Sequence, residues 1–67
     1  MVPKRLRIAR ELADMSQEEL AIAAGLSEET GYSRMSHYEN GRHKPKFELV
    51  CRFAEVLNVP EGYFYTQ

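Results

Sequence analysis

Residues 16–27 read Ser16-Gln17-Glu18-Glu19-Leu20-Ala21-Ile22-Ala23-Ala24-Gly25-Leu26-Ser27. The first four form a capping box. The Ser16 hydroxyl can accept from the Glu19 amide, and the Glu19 carboxylate from the Ser16 amide, which satisfies two of the free N–H groups at a helix start. An apolar run in good helix-forming residues follows, and Gly25 supplies a left-handed stop. Leu26 is an apolar anchor in the turn, and Ser27 is an N-cap residue once more, so a second helix is due at once. A short helix, a three-residue glycine turn and a further helix start are written into this one stretch.

Reading outward toward the N-terminus, Pro3 suits the first turn of a helix, and Leu6, Ala9 and Ala13, flanked by Ile8 and Leu12, recur at helical spacing through Asp14. Toward the C-terminus, Ser27 is followed by Glu28 and Glu29, acids where a helix dipole favours them, and Gly41 ends that segment. Arg42, His43 and Lys44 make a basic loop. Pro45 then restarts a helix with the stripe Phe47, Val50, Ala54 and Leu57, widened by Leu49, Phe53 and Val56. Asn58 breaks the pattern, and Pro60 opens a last short helix through Glu61-Gly62-Tyr63-Phe64-Tyr65. Nothing alternates as a half-buried strand does. The expectation is an all-α fold of five helices, near 3–14, 16–24, 28–39, 46–57 and 60–65, in one domain spanning 1–67. A chain of 67 residues has room for one small core.

Hydrophobic residues make up 43% and charged residues 28%, a balance that supports a packed fold rather than disorder. The lone Cys51 cannot form an internal disulfide and belongs to no cluster of metal-ligand spacing, which suits a reducing, cytoplasmic setting. No apolar run approaches a membrane span, and no apolar leader follows Met1-Val2-Pro3-Lys4-Arg5. Net charge is -1, which by itself disfavours a polyanionic partner, but the charges are not spread evenly. Arg34, Arg42, Lys44 and Lys46 are opposed locally by Glu39 alone, so one face can be basic while the molecule is not.

Two short helices joined by a glycine turn, with a basic segment beyond the second, outline a DNA-reading helix-turn-helix. Ser16-Gln17-Glu18-Glu19-Leu20-Ala21, then Ala24-Gly25-Leu26-Ser27, then Ser36-His37-Tyr38-Glu39-Asn40-Gly41 and Pro45, closely resemble the lambdoid phage repressor and Cro family, often called the XRE family. The resemblance runs from about Leu6 to Phe64. It departs in one place: Ser27 to Gly41 is longer than in that family by about four residues, one helical turn. Either Glu28-Glu29-Thr30-Gly31 extends the third helix at its N-terminus, or these residues form a turn and the helix starts near Tyr32. The extension is favoured because Ser27 is a good cap and Gly31 falls on the stripe of Met35 and Tyr38.

On the helical wheel Met35 and Tyr38 face inward, while Ser33, His37 and Asn40 recur on the opposite side, flanked by Ser36 and Arg34. Short polar, imidazole and guanidinium groups are what a major groove requires of a reading helix. The resemblance implies base reading by Tyr32, Ser33 and His37, with Ser36 beside them, and phosphate contacts by Gln17 and Asn40. Arg34, Arg42, Lys44 and Lys46 add cations for the DNA backbone. It also implies an ion pair between Arg10 and Glu39, a sensible pairing because Glu39 sits near the inward edge beside Met35, where an unpaired carboxylate is costly.

Enzymatic readings lack parts. His37 and His43 are off the spacing of paired helical ligands, Cys51 has no evident base, and no glycine-rich phosphate cradle is present. Neither catalysis, a cofactor, a metal nor a small-molecule ligand is expected. The expected function is that of a sequence-specific transcriptional regulator, a repressor on a partly palindromic operator in double-stranded DNA. It would work as a homodimer with Tyr63 and Tyr65 as interface candidates, since three consecutive aromatics on a short terminal helix cannot all enter one core. The alternative is a protein-interaction module, such as an antitoxin or coactivator-like helical adaptor. Glu28 and Glu29, close to where DNA would lie, favour it.

Overall fold

A computed structural model describes residues 1–66. Four α-helices follow one another: α1 (Pro3–Leu12), α2 (Gln17–Ala23), α3 (Gly31–Glu39) and α4 (Phe47–Leu57), and a 3-10 turn at Glu61–Tyr65 closes the chain. No strand occurs among the described residues.

Each α-helix stops in the same way. The residue after its last turn takes a left-handed conformation: Asp14 (φ 57°), Gly25 (89°), Gly41 (77°) and Asn58 (57°). The amide following it reaches back to a carbonyl five residues earlier, as in Met15 N–H to Arg10, Leu26 to Ala21, Arg42 to His37 and Val59 to Ala54. This is the Schellman closure, which satisfies carbonyls that a helix end otherwise leaves open. Among the described residues every positive φ belongs to one of these four stops. The Asp14 stop explains why α1 is shorter than its periodicity suggested, and why Ala13, expected on the buried stripe, is exposed.

The N-terminus of α2 carries the full capping box, with Glu19 N–H to Ser16 Oγ at 3.0 Å and Ser16 N–H to Glu19 Oε1 at 2.8 Å. Leu6, Leu20, Met35, Val50, Phe53 and Phe64 are fully buried. Every element thus sends at least one side chain into a single core, each such burial contributing about 1.5–3 kcal/mol.

Three expectations are corrected. The third helix is not extended through residues 28–30. There Ser27 Oγ accepts from the Glu29 amide, and the Ser27 carbonyl from the Gly31 amide at 2.7 Å, so these residues form a turn. Thr30 is the N-cap without a side-chain capping bond. Gly31 is where α3 meets α2, since a Cβ on it would stand 2.8 Å from the Ala21 Cβ. The fifth helix is a 3-10 turn rather than an α-helix. Five residues containing Gly62 cannot sustain α-helical bonding, and Tyr63 N–H closes on the Pro60 carbonyl three residues back. Finally, Phe47 is 62% exposed although it is in register with Val50, Ala54 and Leu57. It lies in the first turn of α4, beyond the edge of the core, where its ring meets the tilted ring of Tyr65 at 6.5 Å between centroids.

Candidate nucleic-acid interface

Two anchors fix α3. Near its start Gly31 lies against Ala21 of α2. At its end Glu39 is gripped by Arg10 of α1 in a forked pair, Nε to Oε2 at 2.7 Å and Nη2 to Oε1 at 3.1 Å. The third guanidinium nitrogen, Nη1, donates to the Met15 carbonyl at 2.8 Å. Only 12% of the Arg10 side chain and 3% of that of Glu39 is exposed. The hydrogen bond to Glu39 holds the Arg10 pKa above its ordinary value, outweighing the opposing effect of burial. Arg10 is therefore charged at any physiological pH.

Gln17, at the first position of α2, donates its amide to Glu39 Oε1 at 3.1 Å. One amide proton is used in tying α2 to the end of α3, and one remains for an outside acceptor. Three helices thus meet at one carboxylate.

Between these anchors the buried side of α3 is Gly31, Met35 and Tyr38. Tyr32, Ser33 and Arg34 are exposed, Ser36 and His37 half-buried, and Asn40 exposed. Tyr32 is 59% exposed, so its ring stands off the core rather than at its edge. Asn40 Nδ2 donates to Ser36 Oγ at 3.4 Å. Arg34 donates from Nε and Nη2 to the Tyr38 hydroxyl at 3.2 and 2.8 Å, so it leans along α3 toward α4 rather than standing free.

Beyond α3 the backbone doubles back, with the amides of Arg42 and His43 both directed to the His37 carbonyl. The imidazoles of His37 and His43 meet edge to face at 4.7 Å, which positions His37 through a loop residue. Arg42, Lys44 and Lys46 are exposed. The structure therefore gathers Tyr32, Ser33, Ser36 and His37 along one helix and Arg42, Lys44 and Lys46 on the loop that follows it. Tyr63 and Tyr65 stand apart from these, on the terminal turn. Tyr63 is half-buried with Arg5 over its ring at 4.7 Å, while Tyr65 is 45% exposed.

Three features had gone unread in the sequence: the Gln17–Glu39 bond, the Arg34–Tyr38 bond, and the approach of Arg52 to the turn at Gly25. The second leaves a faint trace, since Arg34 and Tyr38 are four apart on one helix. The others join distant segments and leave none. Among the described residues no group of three or more His, Cys, Asp or Glu side chains is placed to hold a metal ion. Desolvation, followed by the charge of Glu61, pushes the Cys51 thiol up, so it stays protonated near neutrality and is a poor nucleophile. No helix among the described residues is long and apolar enough to cross a membrane.

A family model described as a helix-turn-helix domain matches residues 4–62. An uncharacterized HTH-type transcriptional regulator of Sinorhizobium medicae (strain WSM419) is 28% identical over 64 residues, covering 96% of this chain and 43% of the relative. One from Rhizobium meliloti (strain 1021) matches at the same identity and coverage. The chain thus spans less than half the length of these curated relatives. The crystal structure of the transcriptional regulator BswR superposes with a TM-score of 0.94 at 38% identity, over 98% of this chain and 65% of that one.

Proposed function

The chain belongs to the helix-turn-helix family of DNA-binding regulators, and from that premise we propose that it is a sequence-specific transcriptional repressor of the XRE type, acting in the cytoplasm as a homodimer. Residues 1–67 serve as one DNA-binding domain, and α3 enters the major groove of each half of a partly palindromic operator. Tyr32, Ser33, Ser36 and His37 read base edges. Gln17, Arg34, Asn40, Arg42, Lys44 and Lys46 hold the backbone.

The observation that carries the reading is the presentation of α3. Its buried side is locked at both ends, by Gly31 on Ala21 and by the Arg10–Glu39 fork, while its outer side offers hydroxyls and an imidazole at the spacing of base edges. A rigid element with free polar groups is what direct readout requires, because each contact must then be made without ordering a loop. The loop cations add affinity without sequence information.

Glu28 and Glu29, exposed in the turn that leads into α3, repel phosphate and favour a second reading, a protein-interaction module of the antitoxin or adaptor kind. Selection from a pool of random duplexes, followed by a salt titration of the winners, separates the two. A regulator enriches a consensus whose affinity falls steeply with salt, and an adaptor enriches nothing.

A further inference from the structure

A cleft of about 410 Å³ opens where the α2–α3 turn, α3 and the first turns of α4 meet, and Arg34, Tyr38, Lys44, Lys46, Glu48 and Arg52 are on its walls. Four of these carry positive charge and one negative. Among the described residues none of the four cations is ion-paired. Like charges brought to one cavity repel each other, and an anion among them would relieve that repulsion.

Two further details would serve such an anion. Tyr38 is only 6% exposed, and its hydroxyl accepts both bonds from Arg34. Its own proton has no acceptor among the described residues, so it is available to an oxygen in the cleft. The hydroxyl also fixes Arg34, leaving three of the five guanidinium N–H groups for a ligand. On the other wall the Arg52 guanidinium lies over Gly25, where a Cβ would stand 3.3 Å from its Nη1. The missing side chain there gives the guanidinium its place. α4 begins at the same cleft with no side-chain cap on Lys46, adding the partial positive charge of its first amides.

We propose that this cleft is a phosphate site, in which Arg34, Lys44, Lys46 and Arg52 with the Tyr38 hydroxyl hold one phosphate-bearing anion, either a backbone phosphate of duplex DNA or a free phosphorylated small molecule. Arg52 thereby joins the anion-binding residues although it lies on α4, away from the reading helix. The first source rests on the DNA-binding reading above; the second does not.

The test uses the intact protein in two arms: calorimetric titration with inorganic pyrophosphate at low ionic strength, and duplex binding over a salt series. R52Q lowers pyrophosphate affinity about three- to tenfold, E48Q raises it, and R7Q, which removes the same charge from the exposed face of α1, changes it little. If the source is DNA, R52Q also weakens all duplexes alike and reduces the salt slope by about one. If R52Q spares duplex binding but loses pyrophosphate, the source is a free phosphate. Should the parent bind no duplex at all, the regulator reading fails while the pyrophosphate arm still decides the cleft. The proposal is overturned if R52Q matches R7Q in both arms, since only net charge would then be at work.

Discussion

His37 and Lys44 are neighbours in the candidate interface, yet they differ in what fixes them. The His37 ring is half-buried against His43, which restricts its orientation, as reading a base edge requires. Lys44 is exposed on a loop and makes no ion pair among the described residues, as suits a diffuse contact with phosphate. His37→Ala should therefore lower discrimination at one or two base positions by about 1 to 3 kcal/mol, whereas Lys44→Ala should weaken all sequences alike. Binding to a set of single-base operator variants checks this, and equal shifts at every position in both variants would remove His37 from base reading. Glu39 has a different part. Glu39→Ala strands the largely buried Arg10 charge and frees Gln17, at a cost of about 3 to 5 kcal/mol. A urea melt in which this variant unfolds like the parent would show the fork to be weak. Because the bond raises the Arg10 pKa, its stabilisation is complete below the ordinary arginine value and fades only as pH climbs through the raised one. The loss in Glu39→Ala should thus be the same at pH 6 and pH 9.

Helix stops and starts divide the readable from the unreadable. Gly25, Gly41 and Asn58 announce their stops by residue type, because glycine and asparagine enter the left-handed region at low cost. Asp14 does so less clearly, and the apolar period runs on through Ala13 right up to it. Since Asp14 has a Cβ at φ 57°, Asp14→Gly should stabilise the protein by up to about 1 kcal/mol in a chemical melt, whereas a glycine in a continuing helix would cost about that much. Gly31 tests the α2–α3 contact in the opposite sense. A methyl group there would overlap Ala21, so Gly31→Ala should destabilise by about 1–3 kcal/mol despite its better helix propensity. Ala21→Gly in the same chain should recover part of that loss. The stripe Gly31, Met35 and Tyr38 was legible from its spacing, as was the capping box. The start of α3 was not, because Ser27 caps a helix and opens a turn with the same bond to the amide two residues on. The exposure of Phe47 was illegible for a related reason: periodicity gives a direction on the wheel but not where the core ends along the axis.

At the scale of the whole molecule, one reading helix covers one half-site, and a small domain alone rarely has the affinity to find it. The apolar surface left over is suggestive. Phe47 and Tyr65 are 62% and 45% exposed and lie side by side, whereas Tyr63 is partly spent on Arg5 and Phe64. Sedimentation equilibrium at micromolar concentration should find the parent dimeric and a Phe47→Ser, Tyr65→Ser double variant monomeric; a parent that stays monomeric would leave dimerisation to the operator. The remaining feature is the join between the two ends of the fold. Val2 N–H donates to the Phe64 carbonyl at 2.6 Å, and Arg5 Nε to the Thr66 carbonyl at 3.1 Å. Mechanically the chain is a hoop with a clasp, and a pull applied across its two ends loads the clasp before it strains anything else. The α2–α3 unit, which lies on the far arc of that hoop in sequence, is shielded from tension until the clasp gives way.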